Sequence, residues 1–147
     1  MGSRLGDWRG KLTAAIEEMA ANGMARKATE FFNALDAIKE LQRKLSVFFS
    51  RYDLIMTPTA AALPWSATEP FPKMIAGEQV GPRGHAVFTA FANMAGCPAI
   101  SIPGTPSADG MPIGFQLVGA PGRDGLLCAL AAQYESAHPW ADRWPPF

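Results

Sequence analysis

The chain has 147 residues, a length typical of one domain and sufficient to bury a hydrophobic core. Its 13 basic and 13 acidic side chains give a formal net charge of zero, which argues against nucleic acid or a membrane surface as partner. No apolar stretch reaches the roughly 18 residues of a membrane-spanning helix, and no apolar segment follows the first residues, so we expect a cytoplasmic protein.

The first third of the chain is predicted to be helical, because all 13 prolines lie at Pro58 or later. A first helix is expected to begin after Asp7, its N-cap, and to end at Asn22-Gly23. A second helix is predicted over 26–50, where apolar residues recur every three or four positions. They are Phe31, Leu35, Ile38, Leu41, Leu45 and Phe48. This stripe is expected to pack on the protein's own sheet or to bind a partner helix.

A short apolar run, Leu54-Ile55-Met56, predicts a buried central strand that Pro58 terminates. Residues 58–84 show no periodicity and contain five prolines, which indicates a long irregular surface loop. Helical spacing returns over 85–95, and Gly96 is expected to stop that helix.

A β-hairpin is predicted next, with strands over 99–102 and 113–118 joined by the turn Ser107-Ala-Asp-Gly110. Both faces of the second strand are nearly apolar, so we expect both to be covered. Gln116, its polar residue, is expected to bond a neighbouring group or to contact a substrate. A last helix is predicted to begin at Asp124, its N-cap.

The chain contains two cysteines, Cys97 and Cys128, and two histidines, His85 and His138. Their spacing matches neither a zinc site nor a Cys-His catalytic pair, so we predict no metal and no other cofactor. Both cysteines are expected to be buried apolar residues.

Four segments follow one another along the chain. They are Tyr52-Asp-Leu-Ile-Met-Thr-Pro-Thr59, then Phe88-Thr89 with Asn93-Met-Ala-Gly-Cys-Pro-Ala99, then Ile102-Pro103, then Asp109-Gly-Met-Pro-Ile-Gly-Phe-Gln-Leu-Val-Gly119. In this order and spacing they resemble the C-terminal part of the amidase signature family, over roughly residues 26–146.

The resemblance implies an α/β fold in which N-terminal helices precede a small mixed or antiparallel sheet. Residues 1–147 would then form a single partial domain, with a helical segment over 1–51 and a segment of sheet, loop and helix over 52–147. The activity implied is hydrolysis of carbon–nitrogen bonds in carboxamides.

The same resemblance implies that the catalytic region is absent. Members of the family are similar in using a Lys-Ser-Ser triad and a Gly/Ser-rich loop that binds the oxyanion, in a segment N-terminal to the matched residues. This chain contains neither a Gly-Gly nor a Ser-Ser pair, and no catalytic residue is assigned. We therefore expect a C-terminal fragment of an amidase-like hydrolase that is inactive by itself.

Four residues are candidate substrate-binding positions by this resemblance: His85, Phe88, Thr89 and Ala92, with the loop over 60–84 as a rim. Alternatively, these residues belong to the core or to plain surface. A small-molecule amide would be the substrate only in a complete enzyme.

A few strands and two apolar helices taken from a larger sheet would leave an unpaired edge and exposed apolar faces. We therefore expect a homo-oligomer, or a complementary chain that carries the N-terminal amidase segment. The alternative function is a non-enzymatic interaction module that oligomerises through these faces, in particular through the stripe over 31–48.

Overall fold

The computed structural model describes residues 5–8 and 10–143, and it divides the chain into two compact units, Met1–Lys39 and Glu40–Phe147. The single domain expected from the sequence stays a prediction. No described helix is both long enough and apolar enough to cross a lipid bilayer.

The first unit contains α1 (Leu5–Trp8), α2 (Ala14–Met24) and the beginning of α3 (Ala28–Phe49). The prediction of one helix after Asp7 is wrong, because Gly10 adopts φ +76 and the chain turns before α2 begins after Thr13. The predicted stop at Asn22-Gly23 is also wrong, since α2 continues to Met24 and Gly23 has no left-handed conformation.

Helix α3 confirms the predicted long amphipathic helix within two residues at each end. None of its residues is buried. Phe31 is 63% exposed and Leu35 is 38% exposed, whereas the later positions of the stripe are half-buried, namely Ile38, Leu41, Leu45 and Phe48. The predicted packing of the stripe on the protein's own sheet therefore does not extend to Phe31 and Leu35, and the alternative, a partner helix, stays a prediction.

The second unit is built on an antiparallel sheet of β1 (Leu54–Pro58), β4 (Ala99–Pro103) and β5 (Gly114–Gly119), in the order β1-β5-β4. The predicted β4–β5 hairpin is confirmed, and its turn contains Gly110 at φ +78. The predicted central position of β1 is wrong, because β1 lies at an edge and its Met56 is 72% exposed.

Strand β5 occupies the centre of the sheet, and its last four residues, 116–119, are buried. This confirms that both faces of the strand are covered. Helix α5 (Asp124–Ala137) covers one face, where Leu127 packs with Ile102 and Leu117 in the core. Burying one such side chain contributes about 1.5–3 kcal/mol.

The start of α5 differs from the sequence prediction. Asp124 is the first helical residue and not the N-cap; Arg123 stands at the cap position, and no side chain bonds there. An acidic side chain in the first turn still interacts favourably with the helix dipole. The helix therefore begins at the predicted residue, but Asp124 stabilises it through the helix dipole and not through an N-cap hydrogen bond.

Helix α4 (Val87–Ala95) follows a 3-10 turn at Gly84–Ala86, and it ends at Gly96 with φ +71, as predicted. The loop before it is irregular, as expected, except for a small hairpin that the sequence did not indicate. Its strands are β2 (Met74–Ile75) and β3 (Glu78–Gln79).

The two cysteines are free and differ in exposure. Cys97 is half-buried, whereas Cys128 is exposed on α5, so the prediction that both are buried is wrong for Cys128. Cys128 directly follows the buried Leu127 on α5. Because consecutive side chains of a helix point in different directions, the side chain of Cys128 points away from the core that Leu127 enters.

Candidate functional site

A cleft of about 470 Å³ lies where β1 ends and the chain enters the long loop. Its walls come from the end of β1, the first part of the loop, β4 and the start of β5. The lining residues are Pro58, Thr59, Ala60, Ala61, Ala62, Leu63, Pro64, Trp65, Ser101, Pro112, Ile113 and Gly114.

Two hydroxyl groups in this cleft form a pair, with 2.7 Å between Thr59 Oγ1 and Ser101 Oγ. Backbone pairing positions both, since Thr59 N donates to the carbonyl of Gly114 at 3.1 Å and Ser101 lies opposite Gln116. A Cβ atom at Gly114 would lie 3.1 Å from each oxygen. Glycine at this position therefore lets the two hydroxyls meet across β5.

The pair lies on the face of the sheet that α4 covers, because side chains two residues apart on β5 point to the same side. Gln116, two residues from Gly114, donates through Nε2 to the carbonyl of Phe88 in α4 at 2.8 Å and to Thr57 Oγ1 at 3.2 Å. Its predicted role as a structural hydrogen-bonder is confirmed.

The chemistry of the cleft favours binding over reaction. Within the described residues, no charged side chain lines it, and neither hydroxyl bonds to a lysine or histidine. A serine or threonine needs an adjacent base to act as a nucleophile. The two hydroxyls can accept and donate hydrogen bonds, but nothing here removes a proton from either one.

His85 adjoins the cleft without lining it. Its ring centroid lies 5.1 Å from that of Trp65, and its carbonyl accepts a hydrogen bond from Ala61 N at 2.9 Å. The buried Nδ1 of His85 has no hydrogen-bond partner among the residues that the structure describes. The histidine thus contacts two lining residues of the cleft, Ala61 and Trp65, without lining it.

The other three predicted substrate-binding residues lie on α4, outside the lining of this cleft. Phe88 contributes its carbonyl to Gln116, and Thr89 Oγ1 donates to the carbonyl of Ala86 at 3.1 Å. Ala92 is 3% exposed, which favours the core alternative at that position. The structure therefore brings α4 and the cleft to the same face of the sheet, but not into one pocket.

Sequence reasoning did not select Thr59 and Ser101. Alternation along β4 does indicate that Ser101 points away from the core residue Ile102. The missing information was the pairing of β1 with β5, whose partners Leu54 and Gly119 are far apart in sequence.

Metal binding finds no support in the part of the chain that the structure describes, where no group of three His, Cys, Asp or Glu side chains could hold an ion. Burial raises the pKa of the Cys97 thiol, which keeps it protonated at neutral pH.

Comparison with known proteins gives consistent matches. The protein-family model for amidases matches residues 6–128. The putative amidase AmiC of Mycobacterium tuberculosis is 38% identical over 108 residues, which are 74% of this chain and 23% of the relative. The 6-aminohexanoate-cyclic-dimer hydrolase of Paenarthrobacter ureafaciens is 55% identical over 58 residues, 40% of this chain and 12% of that protein.

Solved structures show the same fold. A bacterial aryl acylamidase of the amidase signature family superimposes with a TM-score of 0.79 at 26% identity, covering 94% of this chain and 29% of that one. The 6-aminohexanoate cyclic dimer hydrolase, solved with substrate, gives 0.78 at 32% identity, covering 97% of this chain and 33% of that one. These matches confirm the predicted α/β fold class.

The chain spans about a quarter of the length of the curated relatives that it matches. The family model nevertheless covers most of the chain, and the relatives and structures agree with it. The chain therefore belongs to the amidase family.

Proposed function

We propose that this chain supplies the scaffold and one wall of the substrate pocket in an amidase-like enzyme that hydrolyses carbon–nitrogen bonds of carboxamides. By itself it is catalytically inactive. It becomes active only when joined to an N-terminal amidase segment that carries the Lys-Ser-Ser residues and the oxyanion loop, whether in one polypeptide or as a separate chain.

One observation carries this proposal. The chain belongs to the amidase family, yet the two hydroxyls in its cleft form a hydrogen bond with each other and neither is bonded to a base. Attack on an amide carbonyl requires a deprotonated nucleophile and donors that hold the developing oxyanion. Among the described residues, this cleft has no lysine or histidine bonded to either hydroxyl to supply the first requirement.

We propose that His85, Phe88, Thr89 and Ala92 belong to the substrate side of the pocket that the complete enzyme forms, next to the cleft and not within its lining. The contact of the His85 ring with Trp65, which lines the cleft, supports its inclusion. Ala92, being buried, would act by packing under the pocket.

The edges of the sheet support a complementary partner. β1 and β4 are the outer strands of the described sheet, and Met56 on β1 is 72% exposed. Edge strands with exposed apolar side chains pair readily with another chain. We propose that the N-terminal amidase segment covers this edge and that the assembly works in the cytoplasm, consistent with two free cysteines.

Amide hydrolysis by this chain alone and mixed with an N-terminal amidase segment tests the proposal. We expect no turnover of aryl and aliphatic amides by the chain alone and measurable turnover in the mixture. A serine-to-alanine variant of the added segment is the control and should abolish turnover. Hydrolysis by the chain alone would overturn the proposal, as would a mixture that forms a complex and remains inactive.

A second candidate function is a non-enzymatic interaction module that forms homo-oligomers. The exposure of large apolar side chains favours it, with Phe31 at 63% and Phe32 at 66%. Sedimentation velocity distinguishes this candidate. A concentration-dependent oligomer that Phe31→Ser and Phe32→Ser disrupt supports it, whereas a monomer at high concentration excludes it.

A further inference from the structure

We propose that His85 is a pH-sensitive latch, whose neutral imidazole holds the loop over 61–85 in place and whose protonated form releases that loop. The loop supplies one wall of the cleft, so its release would widen the cleft. The latch depends only on residues that the structure describes, and it would operate whether or not the chain takes part in amide hydrolysis.

The two ends of the loop meet at His85. The backbone carbonyl of His85 accepts a hydrogen bond from Ala61 N at 2.9 Å, and the His85 ring lies 5.1 Å from the ring of Trp65, measured between centroids. Ala61 and Trp65 both line the cleft. Displacement of the His85 side chain therefore removes a contact that positions this wall.

Between these contacts the loop is held together by its own hydrogen bonds. Val80 N donates to the carbonyl of Lys73 at 2.9 Å, and β2 pairs with β3. Within the described residues, the hydrogen bonds of 62–80 stay inside that range. The loop can therefore move as one unit once the contacts at His85 are lost.

The buried Nδ1 of His85 makes the latch sensitive to protonation, because it has no hydrogen-bond partner among the described residues. A neutral imidazole can leave one nitrogen without a proton, whereas an imidazolium carries an N–H on both. Protonation would put a charged, unpaired N–H donor in a buried position, which costs more free energy than an unpaired lone pair. Attraction between an imidazolium and the Trp65 ring acts in the opposite direction, but it is smaller than that cost. Turning the ring toward water removes the cost and separates the ring from Trp65.

No charged group next to His85 compensates for the added charge. Within the described part of the chain, no carboxylate forms an ion pair with this histidine, and β1, β4, β5 and α4 contain no charged residue. In the loop, Glu69 forms its ion pair with Lys73 at 3.1 Å, and Glu78 is exposed on β3. Arg83, two residues before His85, adds a positive charge. The surroundings therefore favour the neutral imidazole.

Amide hydrogen exchange followed by NMR tests the latch on the intact chain. The measured quantity is the protection factor, which corrects for the intrinsic effect of pH on exchange. Between about pH 7.5 and about pH 5.5, where imidazole side chains in general take up a proton, we expect the protection factor of Ala61 to fall at least about tenfold. The protection factors of Val80 and of Leu117 should change by less than about twofold, because the loop keeps its own bonds and the sheet stays folded.

Two variants remove the titrating group. His85→Phe keeps an aromatic ring against Trp65, and His85→Gln keeps a polar side chain. In both, the protection factor of Ala61 should be independent of pH over this interval. The other histidine of the chain, His138, also lies beside an aromatic ring, that of Tyr134 at 4.8 Å between centroids. His138→Phe is therefore the matched control and should retain the full pH effect.

The latch is excluded if the protection of Ala61 stays constant or rises at the lower pH, since a rise would mean that the imidazolium binds Trp65 more tightly. It is also excluded if both His85 variants keep the pH effect, or if Leu117 loses protection in parallel, because global unfolding would then be the cause. A parallel loss at Val80 contradicts movement of the loop as one unit. The hydrolysis assay of the mixed segments decides the proposed function separately from each of these outcomes.

Discussion

Gln116 Nε2 donates a hydrogen bond to the backbone carbonyl of Phe88 at 2.8 Å, and it thereby connects the central strand β5 to helix α4. Gln116 is 4% exposed, and the same nitrogen also donates to Thr57 Oγ1 on β1 at 3.2 Å. One buried amide thus joins two neighbouring strands and the helix that covers them.

Replacing Gln116 with leucine should lower the free energy of unfolding by about 1–3 kcal/mol, because two part-buried acceptors lose a donor that an apolar side chain cannot replace. Urea unfolding followed by circular dichroism measures the loss. Gln79→Leu at an exposed position of β3 is the matched control and should change stability by less than about 0.5 kcal/mol. Equal effects of the two substitutions would contradict this role.

The sequence predicts that Gln116 forms a hydrogen bond, but it does not predict the partner. A lone polar residue in an apolar strand must find a partner, so a structural bond at Gln116 follows from the pattern. The identity of Phe88 does not follow, because it depends on how α4 lies on the sheet. The local signal of Gly96 after a helical run predicted the end of α4 correctly, whereas the similar signal at Asn22-Gly23 did not give a left-handed stop.

The main errors of the sequence-based prediction concern pairing between strands that are far apart in the sequence. The apolar run Leu54-Ile55-Met56 predicts burial on both faces, yet β1 lies at the sheet edge and Met56 is exposed. The Thr59–Ser101 pair depends on the same β1–β5 register, for which hydrophobic alternation alone gives no partner. The family resemblance correctly identified the fold class, whereas the cleft could be recognised only from the three-dimensional structure.

Gly96 and Gly125 should respond to alanine with opposite signs. Gly96 ends α4 at φ +71, so a Cβ atom there is strained although nothing lies within 4 Å, and we expect a loss of about 1–2 kcal/mol. Gly125 lies within α5 without a positive φ and also has open space, so alanine should stabilise by up to about 1 kcal/mol.

Thermal unfolding of the two glycine variants checks this. The transition temperature should fall for Gly96→Ala and rise or stay level for Gly125→Ala. A fall of the same size in both would show that backbone conformation does not decide the outcome.

Arg43 should determine the titration of Glu40. The guanidinium donates to both carboxylate oxygens, at 2.8 and 2.7 Å, and these bonds lower the pKa of Glu40 below its ordinary value. A lowered pKa in the folded state means that the stabilising effect is present above the unfolded-state pKa and is lost as pH falls through the folded-state pKa.

NMR titration of the Glu40 carboxyl should therefore show that Arg43→Gln raises its pKa toward the ordinary value. Arg51→Gln, which removes a cation outside the pair, should leave that pKa unchanged. The interpretation fails if the two substitutions shift Glu40 equally, since general surface charge would then be the cause.

The two thiols should differ in reactivity. Burial raises the pKa of the Cys97 thiol, and the thiolate is the reactive form, whereas Cys128 is exposed on α5. At neutral pH we expect iodoacetamide to alkylate Cys128 several times faster than Cys97, as measured by mass spectrometry of peptides over time. Cys128→Ser should retain only the slow reaction and Cys97→Ser only the fast one. In urea the two thiols should react at similar rates, because unfolding removes the burial of Cys97. Faster alkylation of Cys97 in the folded chain would refute the assignment.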